Sequence, residues 1–310
     1  MKYLTPYFLL TIFLTPLLTL LLTTYSAITY SQSQPERIAV AGGSITEIIY
    51  RLGEQDKIVG VDSTSQFPEA AKNHPLLGYV RNVSAEGVLS LSPDLFIGEA
   101  DTGPTKTVHQ IKATGIHTVI IDKDDTIHAI NNKIRTVAKL INVTEKGEDL
   151  ISDIQVDINA LRYARQQIST TPRVLFLLSI ANGAPIAAGN NTSAHTVIDE
   201  AGGVNVLAGV TGWSKLSPES AIALNPDVIV VMNRGGDVLK QVAELPYFAH
   251  SSAVKNGAIF SIDGNYLLGF GPRTPQAIVE LGTMIHPVFP FPESYQLRYP
   301  NQSGDNTEGH

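Results

Sequence analysis

The sequence predicts an α/β fold in two lobes, each built on a mostly parallel sheet, with one long helix joining them. Three observations predict it. Short apolar strands alternate with helical patterns in both halves of the chain, the order that gives parallel sheets covered on both faces. A polar stretch from Thr144 to Ile168 interrupts that alternation and carries apolar residues near helical spacing. A segment of the first half, SAEGVLSLSPDL at 84–95, recurs in the second as SPESAIALNPDV at 217–228.

In the first half, Arg37–Ala41 reads as a buried strand that runs through Gly42 and Gly43 into a helix over Ser44–Leu52. Ser44 and Glu47 supply the S-x-x-E pattern of a capping box. Strands follow at Lys57–Val61, Asp94–Ile97 and His117–Ile121, and helices at Ser84–Leu91 and Thr105–Thr114. The middle stretch places Leu150, Ile154, Ile158, Leu161 and Tyr163 near helical spacing, with only Gly147 as a weak point, and predicts one long helix. After Thr171 and Pro172 the alternation restarts. Arg173–Ile180, Asp227–Met232 and Ala258–Ile262 read as strands. Helices are predicted over Ser193–Ala201, stopped by Gly202 and Gly203, over Ser217–Leu224, and over Thr274–Ile285, closed by Pro287. The expected organisation is an N-terminal lobe at 36–143, a connecting helix at 144–170, a C-terminal lobe at 171–288 and a disordered polar tail at 289–310. In each copy of the repeat the serine is an N-cap, the glutamate sits in the first turn, and Pro-Asp introduces a strand.

The 310 residues suffice for two domains. With 22 basic and 29 acidic residues and a net charge of -7, the chain has no basic stripe, and nucleic acid is not an expected partner. Cysteine is absent, which excludes disulfides, thiolate metal sites and a lipid-modified cysteine. Lys2 is the only charge before Glu36, the run Tyr7–Leu22 is apolar apart from its threonines and Pro16, and Ser26, Ala27, Thr29 and Ser31 follow. That order predicts a signal peptide over 1–31, cut after Ala27 or Ser31, and export to the periplasm. The alternative is an uncleaved anchor, since the apolar run approaches the length of a span.

No G-x-S-x-G elbow, P-loop, H-E-x-x-H or G-x-G-x-x-G is present. A hydrolase built on Asp62, Asp263 or Ser44 would need a nucleophile–base pair that the sequence does not display, so no enzyme is expected. None of the eight histidines pairs at metal spacing. The turn at Gly42, Gly43 and Ser44 reads as a tight strand-to-helix connection ahead of an anion site. Gly78-Tyr79-Val80-Arg81 lies in a connecting loop, where an extended backbone puts Tyr79 and Arg81 on one side. A phenolate next to a guanidinium is a hard anionic ligand suited to ferric iron, and tyrosine is a known axial ligand of haem. Chemistry alone favours the plainer alternative, in which Tyr79 packs at a lobe edge and Arg81 is a solvated charge.

Six stretches, in order, change that balance: AGGSITEIIYRLG at 41–53, VGVDSTSQFPEAA at 59–71, LGYVRNVSAEGVLSLSPDL at 77–95, PIAAGNNTSAHTVIDEAGGVN at 185–205, MNRGG at 232–236 and LLGFGPRTPQAIVELG at 267–282. Together they resemble the periplasmic haem-binding proteins of bacterial ABC haem importers, the HmuT type, within class III of the periplasmic solute-binding proteins, which carry cobalamin, siderophores or haem. The resemblance implies two Rossmann-like lobes joined by a single backbone helix with little hinge motion. It also implies haem b (hemin) carried as ligand in the cleft between them, and delivery to an ABC permease and its ATPase by a monomeric protein. It places the iron-ligating tyrosine at Tyr79, an arginine after it at Arg81, a second-lobe cleft arginine at Arg234, and permease-docking glutamates at Glu86 and Glu219. Apolar cover for the porphyrin is sought among Phe67, Trp213, Tyr266 and Phe270. No histidine occurs between 180 and 192, where some members supply a second iron ligand, and His195 falls in a predicted helix. The expectation is five-coordinate iron on Tyr79, with a ferric siderophore or cobalamin as the alternative cargo.

Overall fold

A computed structural model describes residues 34–181, 184–233 and 237–298. The predicted signal peptide, Arg234 and the end of the predicted tail lie outside the described residues.

The first lobe runs β1 (Ile38–Ala41), α1 (Gly43–Arg51), β2 (Ile58–Val61), a small hairpin of β3 (Gly78–Tyr79) and β4 (Asn82–Val83), α2 (Ala85–Ser90), β5 (Leu95–Glu99), α3 (Thr105–Ala113), β6 (His117–Ile121) and α4 (Ile127–Leu140). Its sheet has the order β2-β1-β5-β6, parallel throughout. Next comes α5 (Thr144–Gln167). The second lobe runs β7 (Arg173–Ala181), β8 (Ala184–Ala188), α6 (Ser193–Glu200), β9 (Val204–Asn205), β10 (Trp213–Lys215), α7 (Pro218–Leu224), β11 (Val228–Asn233), α8 (Val238–Ala243), α9 (Ser252–Lys255), β12 (Ile259–Asp263), α10 (Gly264–Leu268) and α11 (Thr274–Ile285). Its sheet is mixed, ordered β10-β8-β7-β11-β12, with β9 also on β7. β7, β11 and β12 are parallel, and β8 and β10 antiparallel.

The central strands of both sheets are buried on both faces, and the alternation is visible residue by residue. Ile38 and Val40 join the core shared with α5, while Ala39 and Ala41 face a second core with Leu77 and Ile111. In the second lobe Val174 and Phe176 turn to the shared core, and Leu175 and Leu177 to a third core with Ile229 and Phe248. This is why the strands read as continuous apolar runs. Helix α5 packs against α4 of the first lobe and α11 of the second. Leu150, Ile154, Ile158 and Leu161 are buried as their spacing predicts, while Tyr163 turns to solvent.

The recurring segment is the clearest internal symmetry. Ser84 accepts a hydrogen bond from the Gly87 amide at 3.0 Å and Ser217 from the Ser220 amide at 3.2 Å, so both are N-caps. The likeness extends to the strand ahead. Arg37 donates to the Leu91 carbonyl at 2.6 Å and Arg173 to the Leu224 carbonyl at 2.8 Å. Asp94 accepts from the Arg37 amide and Asp227 from the Arg173 amide. In each lobe one arginine closes the end of the short helix and one aspartate ties the two strand starts together.

Two expectations are corrected. The S-x-x-E capping box is absent: α1 starts one residue early, Gly42 is the N-cap with φ of +145°, and Ser44 and Glu47 are buried within the helix. Residues 289–298 are not a loose tail. Phe289 stacks on His286 at 5.4 Å, and the Tyr295 hydroxyl donates to Asp157 Oδ1 at 3.0 Å, because those aromatic rings cover the apolar side of α5 and α11. The antiparallel β8 and β10 and the helix α4 were not anticipated.

Candidate functional site

Tyr79 stands on the β3–β4 hairpin, and the hairpin is held from both sides. Gly78 has φ of +102°, and a Cβ there would lie 2.6 Å from the Asn82 carbonyl oxygen, so only glycine fits. Its own carbonyl accepts from the Ser63 amide at 2.8 Å. On the other side, the Gly103 amide donates to the Val80 carbonyl at 2.9 Å, and the Val83 amide to the Gly103 carbonyl at 2.7 Å. Val80 is buried between the two anchors. The Tyr79 side chain itself is 47% exposed. It is a large aromatic on a fixed backbone with its face in solvent.

Arg81 follows on the same hairpin. Its Nε donates to Asp101 Oδ2 at 2.9 Å. That bond, helped by the proximity of Tyr79, holds the guanidinium pKa above its ordinary value. The arginine is a paired, oriented cation rather than a free one, although both partners remain solvent-accessible.

The hairpin and the Asp101 loop follow the C-terminal ends of β2 and β5, the edge at which doubly wound sheets bind ligands. On the second lobe the strand that corresponds to β5 is β11, and Arg234 follows it directly in sequence. Of the four expected porphyrin-covering aromatics, Tyr266 and Phe270 are 2% exposed and belong to the core. Phe67 is partly covered and lies under the Arg273 guanidinium, 3.5 Å from ring centroid to Cζ. Trp213 is 38% exposed, edge-on to Phe176. Trp213 alone of the four offers a broad open face. His195 lies in the first turn of α6, its ring near Asn205. Among the described residues no group of three or more His, Asp or Glu could hold a metal ion.

A second polar cluster, not anticipated from sequence, lies where the lobes meet. Glu47 of α1 receives Arg273 Nε at 2.9 Å and the Arg273 amide at 3.2 Å. Lys133 of α4 donates to Ser44 Oγ at 2.8 Å and to the Gly269 carbonyl at 3.3 Å, and Ser44 donates in turn to Glu99 Oε1 at 2.5 Å. Burial pushes the carboxyls of Glu47 and Glu99 up, and the facing Arg273 and Lys133 pull them back. Ser44 and Lys133 have the separation of a serine–lysine nucleophile pair, but the hydroxyl proton is committed to Glu99 and the serine is buried. Asp62 and Asp263 are occupied as well. Asp62 accepts from the Gly42 amide and Thr64, and Asp263 caps α10 through the Tyr266 amide.

Glu86 and Glu219 occupy the same position, one residue inside α2 and α7, and both are exposed. The Glu219 carboxyl is held below its ordinary value by its own amide and by the Ser217 hydroxyl.

The family model for periplasmic binding proteins matches residues 38–266. The chain belongs to that family. Within it, the fold is that of the class III members, and its proteins bind and deliver rather than catalyse. The chain is 38% identical to the periplasmic heme-binding protein RhuT from Roseiflexus sp. RS-1, covering 81% of this chain and 97% of that one, with a TM-score of 0.77. It is 25% identical to the ABC transporter substrate-binding lipoprotein YvrC of Bacillus subtilis, over 83% of this chain and 82% of YvrC. It is 24% identical to the vitamin B12-binding protein of Vibrio parahaemolyticus, over 83% of this chain and 92% of that protein. This member of the family is a substrate-binding protein of an ABC importer.

Proposed function

We propose that this protein captures haem in the periplasm, between its two lobes, and delivers it to the permease of an ABC importer, with Tyr79 as the iron ligand. The observation that carries the reading is the exposed Tyr79 ring on a hairpin pinned at both ends, with Arg81 oriented beside it. A porphyrin iron needs one hard ligand at a fixed height, and its propionates need cations. Tyr79 supplies the first. Arg81 and Arg234 supply the second, Arg81 by exchanging its exposed bond to Asp101 for a carboxylate of the ligand. Trp213 gives an apolar face for the macrocycle. The resemblance to RhuT, a heme-binding protein, supports the same cargo. Glu86 and Glu219, one on each lobe, are proposed to meet basic residues of the permease.

The test is a visible spectrum of the mature protein mixed with haemin. A tyrosinate-to-ferric charge-transfer band is expected, and Tyr79→Ala should abolish it. Persistence of the band unchanged in that variant would remove Tyr79 as the ligand. The likeness to a vitamin B12-binding protein gives the competing cargo. Cyanocobalamin or a ferric siderophore that displaces haemin at equal concentration would reassign the site.

A further inference from the structure

We infer that Glu47–Arg273 and Lys133–Gly269 form a two-point lock between the lobes, which presets the opening of the cleft before any ligand arrives. Both contacts cross from the first lobe to the second. Glu47 lies on α1 and Lys133 on α4, and they reach Arg273 and the Gly269 carbonyl on either side of the turn between α10 and α11. All three charged side chains are largely buried, at 6% exposed for Glu47, 12% for Arg273 and 11% for Lys133.

The choice of chemistry is informative. Apolar burial is non-directional, so an apolar seam would tolerate small slides of one lobe over the other. A buried ion pair adds little net stability over an apolar pair of the same volume, but its hydrogen bonds hold only within a narrow range of distance and angle. Two such contacts, from different helices, oppose rotation about either one. Each is fixed from behind. The Arg273 guanidinium sits over Phe67 at 3.5 Å and near Tyr266 at 5.1 Å. Lys133 is steered by Ser44 and Glu99, and Glu99 is seated so closely over α1 that a Cβ on Gly42 would fall 2.5 Å from its Cγ. The space left at the seam is a cavity of about 10 Å³ lined by Ser44, Glu47, Phe67 and Arg273 among others, room for about one water. The cluster therefore holds the lobes together and is not itself a ligand site. Its residues are positioning residues for capture.

Because the chain has no cysteine, spin labels can be placed without background at Gln110→Cys on α3 and Gln241→Cys on α8, both exposed. Pulsed electron–electron spacing on the full protein should show one narrow inter-lobe distance. The volume-conserving pair Glu47→Gln with Arg273→Met, combined with Lys133→Met, should broaden or shift it and speed haemin dissociation about tenfold. Lys133→Met alone, which leaves the Ser44–Glu99 bond in place, covers the case in which the triple variant fails to fold. It should broaden the distribution, and Lys133→Arg should restore it. An unchanged narrow distance in a folded Lys133→Met or triple variant would overturn the lock. The distance readout does not depend on the ligand. Only the haemin readout rests on the proposed cargo, so the two readings fail separately.

Discussion

Glu54 shows how a single residue can tie the first lobe to the connecting helix. Its carboxylate receives Lys146 of α5 at 2.7 Å and Lys57 at 2.9 Å, and these bonds, that to Lys146 first, hold its pKa below the ordinary carboxylate value. A carboxyl whose folded pKa is depressed stabilises above its unfolded pKa, and the contribution is lost as pH falls through the folded one. Glu54→Gln should therefore cost about 1 kcal/mol at pH 7, and the deficit should vanish once the wild-type carboxyl is protonated, in the acid range below its ordinary value. Urea titrations at pH 7 and in that acid range measure it, and a deficit that persists in acid would contradict the assignment. Local sequence made other residues legible at this scale. Tyr79 and Arg81 are two apart on one hairpin, and Glu86 and Glu219 stand at matching places in a visible repeat. Glu47 and Arg273 were not legible as partners. They are 226 residues apart, and an S-x-x-E spacing looks the same whether its glutamate turns back to cap its own helix or outward to an arginine of the other lobe.

At the scale of elements, α2 and α7 are six and seven residues long, too short to be stable alone, so their caps and ends matter. Ser217→Ala removes the side-chain acceptor of the Ser220 amide and should lower stability by about 1 kcal/mol, read as a shift in urea midpoint. Leu89 is 36% and Ile222 64% exposed one turn beyond Glu86 and Glu219, so each helix presents a carboxylate beside an open aliphatic. If these are the faces that meet the permease, Glu86→Lys with Glu219→Lys should abolish stimulation of the transporter ATPase in proteoliposomes while leaving the haemin spectrum of the binding protein unchanged. Stimulation surviving both substitutions would place docking elsewhere. The strands and helices read correctly were those with one unbroken pattern. Helix α4 is not legible in the sequence although its Ile130, Ile134 and Val137 are buried, because His128 and two asparagines lie in its first turns and no Gly or Pro marks its end. The β8–β10 pair is hidden for a different reason. The five residues APIAA of β8 and the three residues WSK of β10 have no clear apolar alternation, and only the pairing of β8 on β7 and of β10 on β8 makes them strands.

At the scale of the whole molecule, the segment after α11 returns to the connecting helix and closes the shared core. Asp157 lies on α5, 1% exposed, and receives both the Tyr295 hydroxyl and the Arg298 guanidinium. The Arg298 amide also donates to Gln276 of α11 at 2.7 Å, so the segment bonds to both helices it crosses. Burial pushes the Asp157 carboxyl above its ordinary pKa, and Arg298 and Tyr295 draw it back. Arg298→Met keeps much of the packing and removes the bonded cation, leaving the buried carboxylate with the Tyr295 phenol and the weaker pull of Arg51. At pH 7 that should destabilise by about 2 kcal/mol, less than the 3–5 typical of a fully buried pair, because the Arg298 side chain is 35% exposed. The variant should then recover as the solution is made more acidic. Its folded Asp157 binds a proton more readily than the unfolded chain does, so the native state gains on protonation, and stability falls again as pH rises past the ordinary carboxylate value. Thermal denaturation of both proteins between pH 7 and pH 5 decides it. A gap that narrows toward pH 5 supports a charge-compensated strap. A gap of constant size means that Arg298 acts through packing alone, and that the segment is held by Phe289 and Tyr295 instead.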